Sequence, residues 1–162
     1  MFEAVAQLFG QRLTFECERI VAMAAGDTPQ LTVLHAKTEA VQRQLDTLGV
    51  VHPVDMLAER YRLRGAETLV LTLTLMPHHA PDALAALASV LGDETPTTHP
   101  RLWYALALLE VPPDQAGAVA SELLESPLFS ERLVRTRPQP PEDVEATLHP
   151  HLSVLELLGF TQ

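Results

Sequence analysis

The chain is short of the residues that most chemistry needs. It has one cysteine, Cys17, so it forms no internal disulfide, and a reducing, cytoplasmic setting is expected. No G-x-x-x-x-G-K-[ST] stretch occurs, so the sequence carries no phosphate-cradling P-loop. Basic residues are scarce, 11 against 21 acidic, for a formal net charge of -10. An acidic surface repels phosphate, which argues against non-specific binding to nucleic acid or an anionic membrane. The apolar runs are far shorter than the ~20 residues that span a bilayer. Residues 1–16 carry acids and no basic leader segment, so they do not read as a secretory signal. Repeats and low-complexity tracts are missing as well. At 162 residues and 47% hydrophobic content, the chain is long enough and apolar enough for one ordinary core, or for a small domain with an extension.

Proline is plentiful, and its placement is the strongest signal. Seven of the 13 prolines (Pro29, Pro53, Pro81, Pro100, Pro113, Pro141 and Pro150) stand where an apolar, helix-patterned segment begins. The fixed φ of proline suits the first helical turn, and its missing N–H would have no partner there. The prolines therefore predict a mainly α chain of helices with short joints.

Residues 2–25 predict one long helix, with Phe2, Ala6, Phe9, Leu13, Cys17, Ile20 and Ala24 on one face. Gly26 stops it, and Thr28-Pro29 reads as an N-cap followed by the first helical residue. A second helix runs to about residue 48, with Leu31, Leu34, Thr38, Val41, Leu45 and Leu48 as a heptad-like seam holding one polar gap. Residues 1–49 thus predict an antiparallel helical hairpin, whose seams bury each other or also meet another subunit. Residues 50–162 predict a second unit of shorter helices: 54–61, 80–91, 100–110 and 113–125, with a turn-rich loop over 92–96. The 67–76 segment, ETLVLTLTLM, alternates like a buried strand, and period alone does not decide it. Residues 127–137 predict a small hairpin turning at Ser130-Glu131. A stiff PQPP joint follows at 138–141. Two short helices, 141–148 and 150–159, close the predicted elements, with Phe160-Thr161-Gln162 as an exit.

Helices followed by a helix-turn-helix and a small hairpin describe a winged helix. Residues 57–160 resemble the winged-helix domain that precedes the ATPase module in bacterial AAA+ proteins, including those associated with contractile injection systems. Leu57-Ala58-Glu59-Arg60-Tyr61-Arg62-Leu63 resembles the opening segment of that domain, and residues 69–76 fall on its buried helix, which favours helix for ETLVLTLTLM. Residues 100–110, preceded by Thr95-Pro96, resemble its next apolar helix. Residues 123–135 resemble its wing, and 148–159 its closing segment. Arg64-Gly65-Ala66 departs from the usual Ser-Pro start. The resemblance implies a non-catalytic, protein-interaction or substrate-docking domain at the front of a AAA+ ATPase. A free-standing winged-helix regulator or adaptor is the alternative. Its partner would be a protein client or the parent's ATPase module, and oligomers would form through the parent.

No catalytic, cofactor-binding or metal-binding residue is assigned. His78-His79 are adjacent and would point apart on a helix, and His149-Pro150-His151 spans an expected helix start, so neither pair has metal-ligand spacing. Cys17 reads as a small core residue, and Trp103 as core or a contact anchor. The presumed recognition helix over 100–110 offers one cation, Arg101, too few donors for a groove reader. The residues assigned to partner binding are Arg132, Arg135 and Arg137, with Leu128 and Phe129 as the apolar centre beside them or as wing core. Arg135 and Arg137 would share one strand face. A hairpin with ordinary solvated charge is the other reading of the three arginines.

Overall fold

The computed structural model describes residues 2–139, 141 and 143–159, without the Phe2 side chain. Two long helices open it, α1 (Phe2–Ala25) and α2 (Thr28–Leu48), folded back on each other as a hairpin. The turn needs the left-handed backbone of Gly26, at φ 68°. The cap is Asp27 rather than Thr28: its carboxylate accepts from the Gln30 N–H at 3.2 Å, so Pro29 becomes the second helical residue. The two seams do not simply bury each other: Val41 and Leu45 of α2 pack against Leu8 of α1, while Leu13, Cys17 and Ile20 of the α1 seam turn to the core around α4. Leu34, Val41 and Leu45 of α2 are buried, as are Leu13, Cys17 and Ile20 of α1. Ala6 lies exposed and Leu8 is buried instead, while Leu48 is exposed.

Seven further helices follow among the described residues: α3 (Pro53–Arg60), α4 (Gly65–His79), α5 (Pro81–Leu91), α6 (Leu102–Leu108), α7 (Ala116–Leu124), α8 (Pro127–Ser130) and α9 (Leu152–Leu157). Between α8 and α9 lie strands β1 (Val134–Arg137) and β2 (Thr147–Pro150), an antiparallel pair with Arg135 opposite His149. The segment before α6 adds a rung on the far side of β2. The Leu102 N–H donates to the Ala146 carbonyl, and the Leu148 N–H to that of Pro100, both at 2.8 Å.

The ambiguous segment is helical and forms the centre of the molecule. Every residue from Val70 to Met76 in α4 is buried, so no amphipathic stripe exists for a helical period to reveal. Its threonines tolerate this burial because their hydroxyls donate back along the helix. Thr72 bonds the Thr68 carbonyl at 3.0 Å and Thr74 that of Leu71 at 2.7 Å. The unusual Arg64-Gly65-Ala66 start is closed by the buried Glu67, whose carboxylate accepts from the Arg64 N–H at 2.6 Å.

Pro29, Pro53 and Pro81 sit in first helical turns, and Pro113 opens a short 3-10 turn before α7. The other three do not start helices. Pro100 precedes α6 by two residues, Pro141 lies in the connection between the strands, and Pro150 ends β2. Residues 127–137 do not make a hairpin alone: 127–130 are helical, and β1 pairs across a long connection with β2. The expected helix over 141–148 is therefore replaced by loop and strand. Pairing of distant segments overrides the local helical pattern. The PQPP segment belongs to the same connection, with a cis Arg137–Pro138 bond, and Pro140 lies outside the described residues, as do Phe160, Thr161 and Gln162.

The main core joins Leu13, Cys17 and Ile20 of α1 to α4, to Leu87 of α5, to Leu102 and Tyr104 of α6, and to Leu128 and Leu148. A smaller core of Leu8, Val41 and Leu45 lies between α1 and α2. Packing therefore runs across residue 49, because α1 serves both cores.

Candidate functional site

The three arginines singled out from the sequence are solvent-exposed. Strand β1 alternates buried and exposed residues, so Val134 and Thr136 face the core while Arg135 and Arg137 share the outer face. Among the described residues none of Arg132, Arg135 and Arg137 pairs with a carboxylate, although acids outnumber bases nearly two to one. Arg132 follows α8 in left-handed backbone, at φ 60°, a conformation that side chains other than glycine adopt rarely. Leu128 is not beside them on the surface. It is fully buried in the main core, because α8 turns it inward. Phe129 is half-buried and packs against that core.

Next to the arginines lies a feature that sequence reasoning missed. His149 faces the same side of the sheet as Arg135, its cross-strand neighbour. The His99 ring stacks on His149 at 4.0 Å between centroids, and His78 follows at 6.0 Å from His99. Three imidazoles from α4, the α5–α6 loop and β2 thus adjoin two guanidinium groups. Burial, His99 and then the arginines hold His149 down to about 4, and the other two imidazoles are also held below their ordinary value, chiefly by burial. Among the described residues no carboxylate contributes to the shift of His149 or His99. Among the described residues no group of histidine, cysteine or acid is arranged to hold a metal ion. The cluster is invisible in sequence because its members stand 21 and 50 positions apart (99−78 and 149−99). The adjacent pair His78-His79 does point apart. His79 reaches α1 instead, with Nε2 3.0 Å from the Gly10 carbonyl and 2.8 Å from the Thr14 hydroxyl. His149 and Pro150 belong to a strand, and only His151 caps a helix, accepting from the Ser153 N–H at 3.1 Å.

The helices that a groove reader would use carry no base-reading donors. Arg101 is committed inward: its guanidinium donates to Asp93 at 3.2 Å, to the Thr95 carbonyl at 2.8 Å and to the Glu145 carbonyl at 3.1 Å. The remaining face of α6 is mostly buried, with Ala107 exposed and Trp103 half-buried against Tyr104. The helix α7, nearer the strands in the chain, exposes Gly117, Ala118, Ser121 and Glu122, with no lysine or arginine.

A groove of about 470 Å³ lies elsewhere, between α1, α3, α4 and α6, with Leu13, Ile20, Val54 and Leu108 on its walls. Its central charge is already matched. Arg12 binds Asp55 through two hydrogen bonds, at 2.5 and 2.7 Å, and ties α1 to α3. His52 beside it is also satisfied: Nε2 meets the Phe9 carbonyl at 3.1 Å, and Nδ1 accepts from the Val54 N–H at 3.1 Å. Cys17 lies buried beneath, its thiol pushed up to about 12 by desolvation, which makes it a packing residue and a poor nucleophile.

Compared with known proteins, the chain matches no family model, no curated protein and no solved structure. No helix among the described residues is long and apolar enough to cross a membrane.

Proposed function

We propose that this chain is a non-catalytic docking domain that holds a protein client or the ATPase module of a AAA+ parent. The observation that carries the docking reading is the exposed face of Arg135 and Arg137, neither of which pairs with a carboxylate among the described residues, on a chain of net charge -10. An acidic protein neutralises its surface arginines readily, and among the described residues none of Arg132, Arg135 and Arg137 has a carboxylate partner. Arginine forks pair with carboxylates in two-point contacts and are enriched at interfaces. The AAA+ assignment rests on the order of sequence segments from residue 57 to 160. The inward commitment of Arg101 and the bare face of α7 support protein over duplex DNA as the partner.

The test is the double reversal Arg135→Glu with Arg137→Glu, read by co-purification with the purified ATPase module or client. Loss of capture with an unchanged thermal midpoint supports the proposal. Unchanged capture rejects this surface. A native stop after residue 162, in place of a P-loop in the same reading frame, would reject the AAA+ parent and leave an adaptor.

A further inference from the structure

The histidine cluster is unnecessary for docking by arginine alone, yet it adjoins the same face. Its groups come from every element around it: His78 from α4, His99 from the α5–α6 loop, His149 from β2, and Arg135 and Arg137 from β1. The polar neighbour of His149 is the Thr147 hydroxyl, 2.8 Å from Nε2. Four of these groups, His99, His149, Arg135 and Arg137, are cation-forming side chains that no acid among the described residues balances.

We infer that this face receives an acidic segment of the protein partner, and that docking takes up protons on the histidines. The inference rests on the docking function proposed above. Burial is the main cause that opposes protonation of His149; the positive field of Arg137 and Arg135 adds to it, and carboxylates paired with these arginines would cancel that part. The histidines then bind protons more tightly in the complex than in the free chain. By linkage, affinity for the acidic segment must rise as pH falls. Charge complementarity selects the occupant. A second copy of this face would set arginine against arginine, and like charges repel. An acidic segment supplies carboxylates that stay ionised well below neutral pH, so the pH response belongs to the imidazoles.

The experiment uses the whole chain and a fluorescent glutamate-rich peptide, followed by anisotropy at low salt from pH 7.5 to 5.5. Affinity should rise about tenfold over that range, a change readily resolved. Arg135→Glu with Arg137→Glu should abolish binding. His99→Gln, at a half-buried position, should bind near the wild-type level at pH 7.5 and respond less to pH. Calorimetry of the unmodified chain in two buffers of different ionisation enthalpy counts the protons directly, without relying on any variant. Zero proton uptake with intact peptide binding overturns the linkage and leaves docking in place. No peptide binding, alongside capture of an ATPase module or client that depends on the arginines, overturns the acidic segment alone. Tighter binding of a single-stranded oligonucleotide than of the peptide overturns the choice of partner. Peptide binding that survives the double reversal overturns the inference and the docking surface together.

Discussion

The hydroxyl of Tyr104 donates to the Asp93 carboxylate at 2.5 Å, across the turn-rich loop that leads into α6. The same carboxylate accepts from Arg101 and from the Thr95 N–H at 3.0 Å, so one acid fixes both the loop and the helix start. Tyr104, then Thr95 and Arg101, hold that carboxyl below its usual range. Tyr104→Phe should cost about 1.5–3 kcal/mol, the range for a lost hydrogen bond to a charged group. Urea denaturation of the two proteins measures it, and an unchanged midpoint would make the contact incidental.

Leu71 is fully buried at the centre of α4. Leu71→Asp places an unpaired charge in the main core and should cost several kcal/mol, enough to unfold a marginal domain. Leu71→Ala should cost about 2–5 kcal/mol through the cavity it leaves. Circular dichroism melts distinguish these from a tolerant site, where both would melt near the wild type.

Two imidazoles make stability depend on pH. His52 and His149 both titrate near 4 in the folded chain, against 6.5 in the unfolded one, chiefly because burial disfavours their charged forms. Between these values the unfolded chain holds more protons, so stability falls as pH falls. It should be complete above pH 6.5 and decline steadily toward pH 4. His52→Gln should flatten that slope, and a thermal midpoint that does not move between pH 7 and 4.5 would contradict the assignment.

Arg132 holds a left-handed backbone that glycine adopts at no steric cost. Arg132→Gly should therefore stabilise the fold by up to about 1 kcal/mol while weakening docking. The paired measurement is a melt and a capture assay on the same protein. A gain in stability with undiminished capture would remove Arg132 from the docking surface.

Local chemistry was legible wherever a residue acts on its own chain neighbours. Pro53 and Pro81 mark helix starts because their effect is confined to one turn, and the 3.6-residue period placed Leu13, Cys17 and Ile20 on one buried face. Thr38 was legible too: the polar gap in the α2 seam is a hydroxyl buried with no hydrogen-bond partner among the described residues. What failed depended on distant pairing. Strand β2 was hidden because Pro141 and Pro150 imitate helix starts, and because its partner lies ten or more positions back (147−137 = 10). Leu128 was legible as apolar but not as inward-facing, since the four-residue helix α8 is too short to show a period. The histidine cluster needed three separate elements to meet before it existed at all.

The sharing of α1 between two cores has a consequence for how the molecule opens. The α2 seam rests on Leu34, Val41 and Leu45, and it holds the unsatisfied Thr38 hydroxyl. Everything that carries the docking face lies in the other core, anchored on α4. Excursions in which α2 lifts away expose the first half of α1 while the second half stays clamped. Amide exchange should then be graded: fastest in α2, intermediate toward the start of α1, slowest in α4. The α2 helix would behave as a detachable arm, and strain applied to it would be dissipated before reaching the arginines.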